Sequence, residues 1–117
     1  MKRICTYNCQ GLLDKSKQRL IADDFKEYRL KVMLVQETHM KNEGMLNLSS
    51  TDGEKYNLYY SGHKSKSIHG VGIIVCNKTK VRFTPVSDRI CMVTIKEDKN
   101  SQINLISAYA PTMETTK

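Results

Sequence analysis

The spacing of apolar positions changes character along this chain, and the first change falls within its opening third. Arg3-Ile4-Cys5-Thr6-Tyr7-Asn8 is rich in β-favouring residues and reads as a strand, closed by the loop signal Cys9-Gln10-Gly11. Residues 17–28 then carry Ile21, Phe25 and Tyr28 on one face, at spacings of four and three, with charges between them. That periodicity predicts an amphipathic helix, for which Asp14 or Ser16 can cap the start. Val32-Met33-Leu34-Val35 follows as a continuous apolar run, the pattern of a strand buried on both faces. Strand, helix and strand in that order form a βαβ unit, so the two strands are expected to be parallel. Asn8 and Gln36-Glu37 then open on one carboxyl edge of the sheet, where α/β proteins collect their ligands. Pattern alone therefore predicts that Asn8 and Glu37 are neighbours.

From Tyr56 onward the rhythm becomes one of successive strands, over residues 56–61, 71–76, 81–86, 90–96 and 103–109. Asn77-Lys78-Thr79 and Asp98-Lys99-Asn100-Ser101 are short polar turns and predict antiparallel hairpins. Val71-Gly72-Ile73-Ile74-Val75-Cys76 is apolar on both faces, as is much of residues 103–108. A sheet of that kind needs a layer on each side. One helix and a loop region over residues 40–50 can cover only one of them. The expectation is an α/β (α+β-like) fold built as one mixed β-sheet with a helix on one face. The other face would be left for self-association or for a further segment.

Composition bounds the rest. The 117 residues suffice for one domain. An apolar share of 39%, against roughly 45–50% for globular domains, implies a modest core. No run approaches the roughly 20 apolar residues that span a bilayer, so no membrane association is expected. The opening Met1-Lys2-Arg3-Ile4-Cys5-Thr6 turns polar too early for a secretory signal. An intracellular chain, nuclear or cytoplasmic and not secreted, is the expectation. Nineteen Lys and Arg against twelve Asp and Glu leave +7 (19 − 12), an excess that favours polyanionic partners. Cys5, Cys9, Cys76 and Cys91 lack zinc-site spacing and read as buried free thiols.

Three residues at strand ends can carry chemistry. Glu37 leaves a buried strand directly, and a carboxylate at such a mouth suits Mg2+, which takes one or two protein carboxylates and keeps water and phosphate oxygens for the rest. Asn8 can orient a carboxylate, a water or a phosphate through its amide. Tyr109, in Ser107-Ala108-Tyr109-Ala110-Pro111, can donate its phenol to a phosphate. Each type is also ordinary at a strand end or rim. His39, His63 and His69 show no ligand spacing and no visible partner, and read as solvent-facing or structural. His69-Gly70-Val71-Gly72 opens a strand and not a helix, which excludes a phosphate loop of the usual kind.

The order of these segments is more specific than any one of them. Asn8-x-x-Gly11, Gln36-Glu37-Thr38, Gly70-x-Gly72-Ile73-Ile74-Val75, Ser87-Asp88-Arg89-Ile90 and Tyr109-Ala110-Pro111 together resemble the first half of the endonuclease/exonuclease/phosphatase superfamily. The wording Tyr59-Tyr60-Ser61-Gly62, His69-Gly70-Val71-Gly72 and Leu105-Ile106-Ser107-Ala108-Tyr109-Ala110-Pro111-Thr112 more narrowly resembles the endonuclease of RTE-type non-LTR retrotransposons and its craniofacial development protein-like relatives. The resemblance implies a divalent-metal phosphodiesterase acting on DNA, with Mg2+ or Mn2+ as cofactor, in a four-layered α/β sandwich of two sheets. It implies that Glu37 binds the metal, that Asn8 supports it, and that Tyr109 contacts the scissile phosphate. Some relatives place an aspartate where this chain has Gln10, which leaves Glu37 as the one expected metal carboxylate. The family continues with a Gly-Asp-x-Asn segment and ends in an Asp-His pair, and neither occurs before Lys117. Residues 1–117 are therefore expected to form half of the sandwich, a partial domain that lacks its C-terminal half and is inactive alone. Two other functions fit the same residues: a non-catalytic remnant binding nucleic acid or a protein, and a relative of the superfamily's phosphoinositide phosphatases.

Overall fold

The computed structural model describes residues 3–110, so Met1, Lys2 and the stretch from Pro111 and Thr112 to Lys117 lie outside the described residues. The elements run β1 (Ile4–Asn8), α1 (Lys15–Glu27), β2 (Val32–Gln36), β3 (Glu43–Ser49), β4 (Lys55–Ser61), β5 (Val71–Cys76), β6 (Val81–Pro85), β7 (Ile90–Lys96) and β8 (Gln102–Ala108). The first five strands make one mixed sheet in the order β1-β2-β5-β4-β3, and the last three make a second sheet in the order β6-β7-β8. β1 and β2 are parallel, with Asn8 opposite Gln36, as the βαβ pattern predicts.

Local chemistry fixes both ends of α1. Asp14 is the N-cap, extended at φ −83° and ψ 128°, and its carboxylate accepts the backbone N–H of Ser16. Such a cap satisfies one of the free N–H groups that every helix start exposes. At the other end Arg29 turns left-handed at φ 53°, and the N–H groups of Arg29 and Leu30 donate to the carbonyls of Lys26 and Phe25. That is a Schellman closure with arginine where glycine is usual. It explains why Tyr28, expected on the buried face, is 57% exposed, since the helix unwinds beneath it. Ile21, Ala22 and Phe25 do face the core. Burying an aromatic side chain as fully as Phe25, which is 3% exposed, stabilises by roughly 1.5–3 kcal/mol.

The first sheet has a different partner on each face. On one side Met33, Val35, Leu58 and Ile74 pack with α1, and the Phe25 ring lies 4.7 Å from Tyr56. On the other, Val32, Val71, Ile73 and Val75 pack against Cys91, Val93 and Ile95 of β7, with Tyr59 against Phe83 at 5.4 Å. The expected α/β half-sandwich is present, but its strands divide between two sheets, and the second covers the face expected to be bare. The reason lies in β5. Its two edges are already bonded to β2 and β4, so β6 has no edge to pair with. Asn77-Lys78-Thr79 therefore carries the chain across to a new sheet and does not close a hairpin. The turn at residues 97–101 does close one, between β7 and β8. Among the apolar surface left open is the outer face of the second sheet, where Ile90 is 42% and Ile106 is 55% exposed.

The region over residues 40–50, expected as loop, contains β3. Its residues Glu43, Met45 and Asn47 are exposed while Leu48 is buried. Gly44 lies opposite Tyr60, and a Cβ there would meet the Tyr60 hydroxyl at 2.8 Å. A strand with glycine and asparagine inside has weak intrinsic preference, and here pairing along β4 decides its conformation.

Candidate active site at the carboxyl edge

Parallel pairing brings the ends of β1 and β2 together, and the hydrogen-bond ladder continues beyond them. The N–H groups of Cys9, Gly11 and Leu12 donate to the carbonyls of Gln36, Glu37 and Thr38 at 2.9, 2.6 and 2.9 Å. On the other flank the N–H groups of Thr38 and His39 donate to the carbonyls of Gly70 and His69 at 3.1 and 2.8 Å. Glu37 is thus clamped between two backbone segments. The Asn8 amide Nδ2 donates to Glu37 Oε2 at 2.6 Å, and Asn8 Oδ1 accepts the N–H of Gln10 at 3.2 Å. This asparagine holds the carboxylate with one end of its amide and its own loop with the other.

The edge stores backbone strain. Gln10, Glu37, His39 and His69 all adopt left-handed φ between 50° and 61°. Few residues other than glycine do so, and each such conformation costs on the order of 1 kcal/mol or more. Strain of this kind gathers where a backbone is held for a purpose, and here it gathers around one carboxylate.

The end of β8 is fastened to the same edge. Ser107 Oγ donates to the Val35 carbonyl at 2.8 Å and accepts from Gln36 Nε2 at 3.2 Å. Two residues later the Tyr109 N–H donates to the Arg89 carbonyl at 2.9 Å. The Tyr109 ring lies 5.7 Å from the imidazole of His69, tilted by 41°. Asn8 and Glu37 are therefore in direct contact. Tyr109 reaches the rim beside them through His69 and Ser107, without a hydrogen bond to either among the described residues.

His69, expected to be solvent-facing or structural and without a visible partner, has a carboxylate partner. Its Nδ1 lies 2.8 Å from Asp88 Oδ2, with both side chains about three-quarters buried, and the Gly70 N–H donates to the Asp88 carbonyl at 2.9 Å. The hydrogen bond from His69, followed by the charges of His69 and then Arg89, lowers the Asp88 carboxyl from its ordinary value against the opposing effect of burial. The residues are nineteen positions apart, so no spacing could reveal the pair. His39 approaches Glu37 Oε1 at 3.9 Å. His63 Nδ1 accepts the N–H groups of Ser65 and Lys66, a loop-organising role.

A Mg2+ ion fits these donors in a limited way. Glu37 is one carboxylate on a fixed backbone, partly open at 23% exposure, and Mg2+ needs only one or two such ligands. Among the described residues no group of three or more His, Cys, Asp and Glu side chains comes together as a metal cage. The Cys9 thiol donates to the carbonyls of Gln36 and Glu37 at 3.1 and 3.4 Å and so braces the backbone under the carboxylate. All four cysteines are free, and burial pushes the Cys9 and Cys91 thiols up to about 11 and about 12. No described helix is long and apolar enough to cross a membrane.

No family model matches the chain, and no curated protein sequence does. Solved structures do. An AP endonuclease from Leishmania major superposes with a TM-score of 0.63 at 14% identity, over 92% of this chain and 40% of its own. An AP endonuclease from Archaeoglobus fulgidus superposes with a TM-score of 0.59 at 21% identity, over 95% of this chain and 42% of its own. The chain thus spans about two-fifths of the length of these enzymes, and over that stretch it has the fold of AP endonucleases.

Proposed function

We propose that this chain supplies the first part of a Mg2+-dependent DNA endonuclease site of the RTE retrotransposon type, with Glu37 as its metal carboxylate. The observation that carries the reading is the Asn8–Glu37 contact at the carboxyl edge of two parallel strands. When bound there, Mg2+ or Mn2+ draws charge from phosphate oxygens and favours attack on phosphorus. Asn8 keeps the Glu37 carboxylate in one orientation, so little reorganisation accompanies ligand binding. Tyr109, set against the His69 ring, donates its phenol to a phosphate oxygen. Likeness in fold to AP endonucleases supports a DNA substrate, and the ordered motifs support the narrower retrotransposon assignment. Glu37 is a single carboxylate, and the imidazole–carboxylate pair at the same edge, His69 with Asp88, makes no hydrogen bond to it among the described residues. The chain by itself is therefore assigned no hydrolytic turnover.

Mn2+ offers a direct test, because it broadens NMR signals near its site. Addition of Mn2+ is expected to broaden the amide signals of Asn8, Glu37 and His39 in the wild type and to spare them in Glu37→Gln. Broadening that persists in the variant, or that centres elsewhere, refutes the metal assignment. Metal-dependent nicking of supercoiled plasmid by the chain alone, lost in Glu37→Gln, would instead overturn the statement that it lacks turnover. A binding role without catalysis draws support from one feature, the exposed Ile90 and Ile106 on the outer face of the second sheet, which suit a covering partner.

A further inference from the structure

The end of the molecule opposite Glu37 carries a second assembly that the proposed catalytic edge does not use. Lys31 stands just before β2, Lys78 and Lys80 lie on the crossover from β5 to β6, Lys96 ends β7, and Lys99 lies in the β7–β8 turn. These segments are remote in sequence, yet the five lysines line one open groove of about 560 Å3, floored in part by buried Ile95. Glu97 and Asp98 adjoin them, so the local formal charge is +3 (5 − 2). One Asp98 oxygen is engaged within its own turn, accepting the N–H groups of Asn100 and Ser101 and the Ser101 hydroxyl at 2.9 to 3.1 Å.

From Lys31 to Glu37 the chain runs along β2 for six residues, about 20 Å at roughly 3.3 Å per residue. One phosphate cannot occupy both places. The lysines are ammonium groups on flexible stems in an open groove, without a buried polar socket to shape a compact ligand. That suits a repeated anion followed along its length, where each cation neutralises one phosphate in turn.

We propose that this groove binds the phosphate backbone of a nucleic acid, as a contact separate from the metal edge. The inference goes beyond the endonuclease reading and stands on different residues. Its consequence for such a reading is geometric: a duplex touching both places spans about six base pairs, at roughly 3.4 Å for each.

The test is the salt dependence of binding to a labelled DNA duplex, measured by fluorescence anisotropy in EDTA so that the metal edge plays no part. Lys78→Gln/Lys80→Gln is compared with Lys64→Gln/Lys66→Gln, which removes equal charge from a loop outside the groove. The groove variant is expected to bind several-fold more weakly, with a slope of log K against log salt shallower by about 2, one for each phosphate left without its lysine. The loop variant should keep the wild-type slope. Equal weakening in both variants would show diffuse attraction to a basic protein and overturn the proposal. Complete displacement of DNA by inositol hexakisphosphate at equal total phosphate would overturn it too, by assigning the groove to a compact polyphosphate. Because EDTA is present and Glu37 is untouched, failure here leaves the metal assignment standing, and loss of Mn2+ binding leaves this result standing.

Discussion

Replacing Gly70 by alanine tests how tightly the Glu37 turn is held. Gly70 has φ +92°, and an added Cβ would lie 2.3 Å from Thr38 Oγ1 and 3.2 Å from the His39 nitrogen. Gly53 supplies the matched control, with φ +93° and nothing within 4 Å of its Cβ. Alanine at either site meets the same backbone penalty, about 1 kcal/mol once the stiffer unfolded chain is set against it. Only Gly70→Ala adds overlap. Thr38 is fully buried, and its Oγ1 accepts the Met40 N–H at 3.3 Å. Either the threonine stays and is overpacked, at about 1–3 kcal/mol, or it rotates and leaves a buried N–H without its partner, at a similar cost. Gly53→Ala should therefore lose about 1 kcal/mol and Gly70→Ala about 2–4 kcal/mol. The assay is urea denaturation. With a slope of about 2 kcal/mol per molar, Gly70→Ala should shift the midpoint down by about 1–2 M with the slope unchanged. Removing the clashing atom in Gly70→Ala/Thr38→Ala should make the double variant less destabilised than the sum of the single ones. Equal midpoints for Gly70→Ala and Gly53→Ala would refute the reasoning, because the turn would then not be packed against Gly70.

Two further predictions concern ionisation. The folded pKa of Asp88 is lowered by His69, so its contribution to stability is present in full above the unfolded value of about 3.9 and fades as pH falls through the lower folded value. The stability difference between wild type and Asp88→Asn should shrink as pH falls below about 4, and a difference that grows over that acid range would contradict the pairing. The buried thiols of Cys9 and Cys91, raised to about 11 and about 12, should resist a thiol-titrating reagent at pH 8 until denaturant is added. Rapid labelling of either in the native protein would show that the core around it opens.

What the sequence settled by itself was set by local physics. The period of Ile21 and Phe25, the cap at Asp14 and the apolar run at Val32 each act within a few residues, and each is where the pattern puts it. The handedness of a strand–helix–strand connection then sets β1 beside β2, which by itself brings Asn8 against Glu37. Tyr28 escaped the pattern because a helix ends by backbone closure, whatever its periodicity would continue to bury. β3 escaped it because an edge strand is templated by its neighbour. The division into two sheets, the pairing of His69 with Asp88 and the gathering of five lysines at the far end were decided by tertiary structure alone. All three depend on which strand edges are already filled and on contacts between segments far apart in the chain. Hydrophobic period reports which face of a strand is buried and leaves open which layer buries it, and that choice belongs to the whole fold.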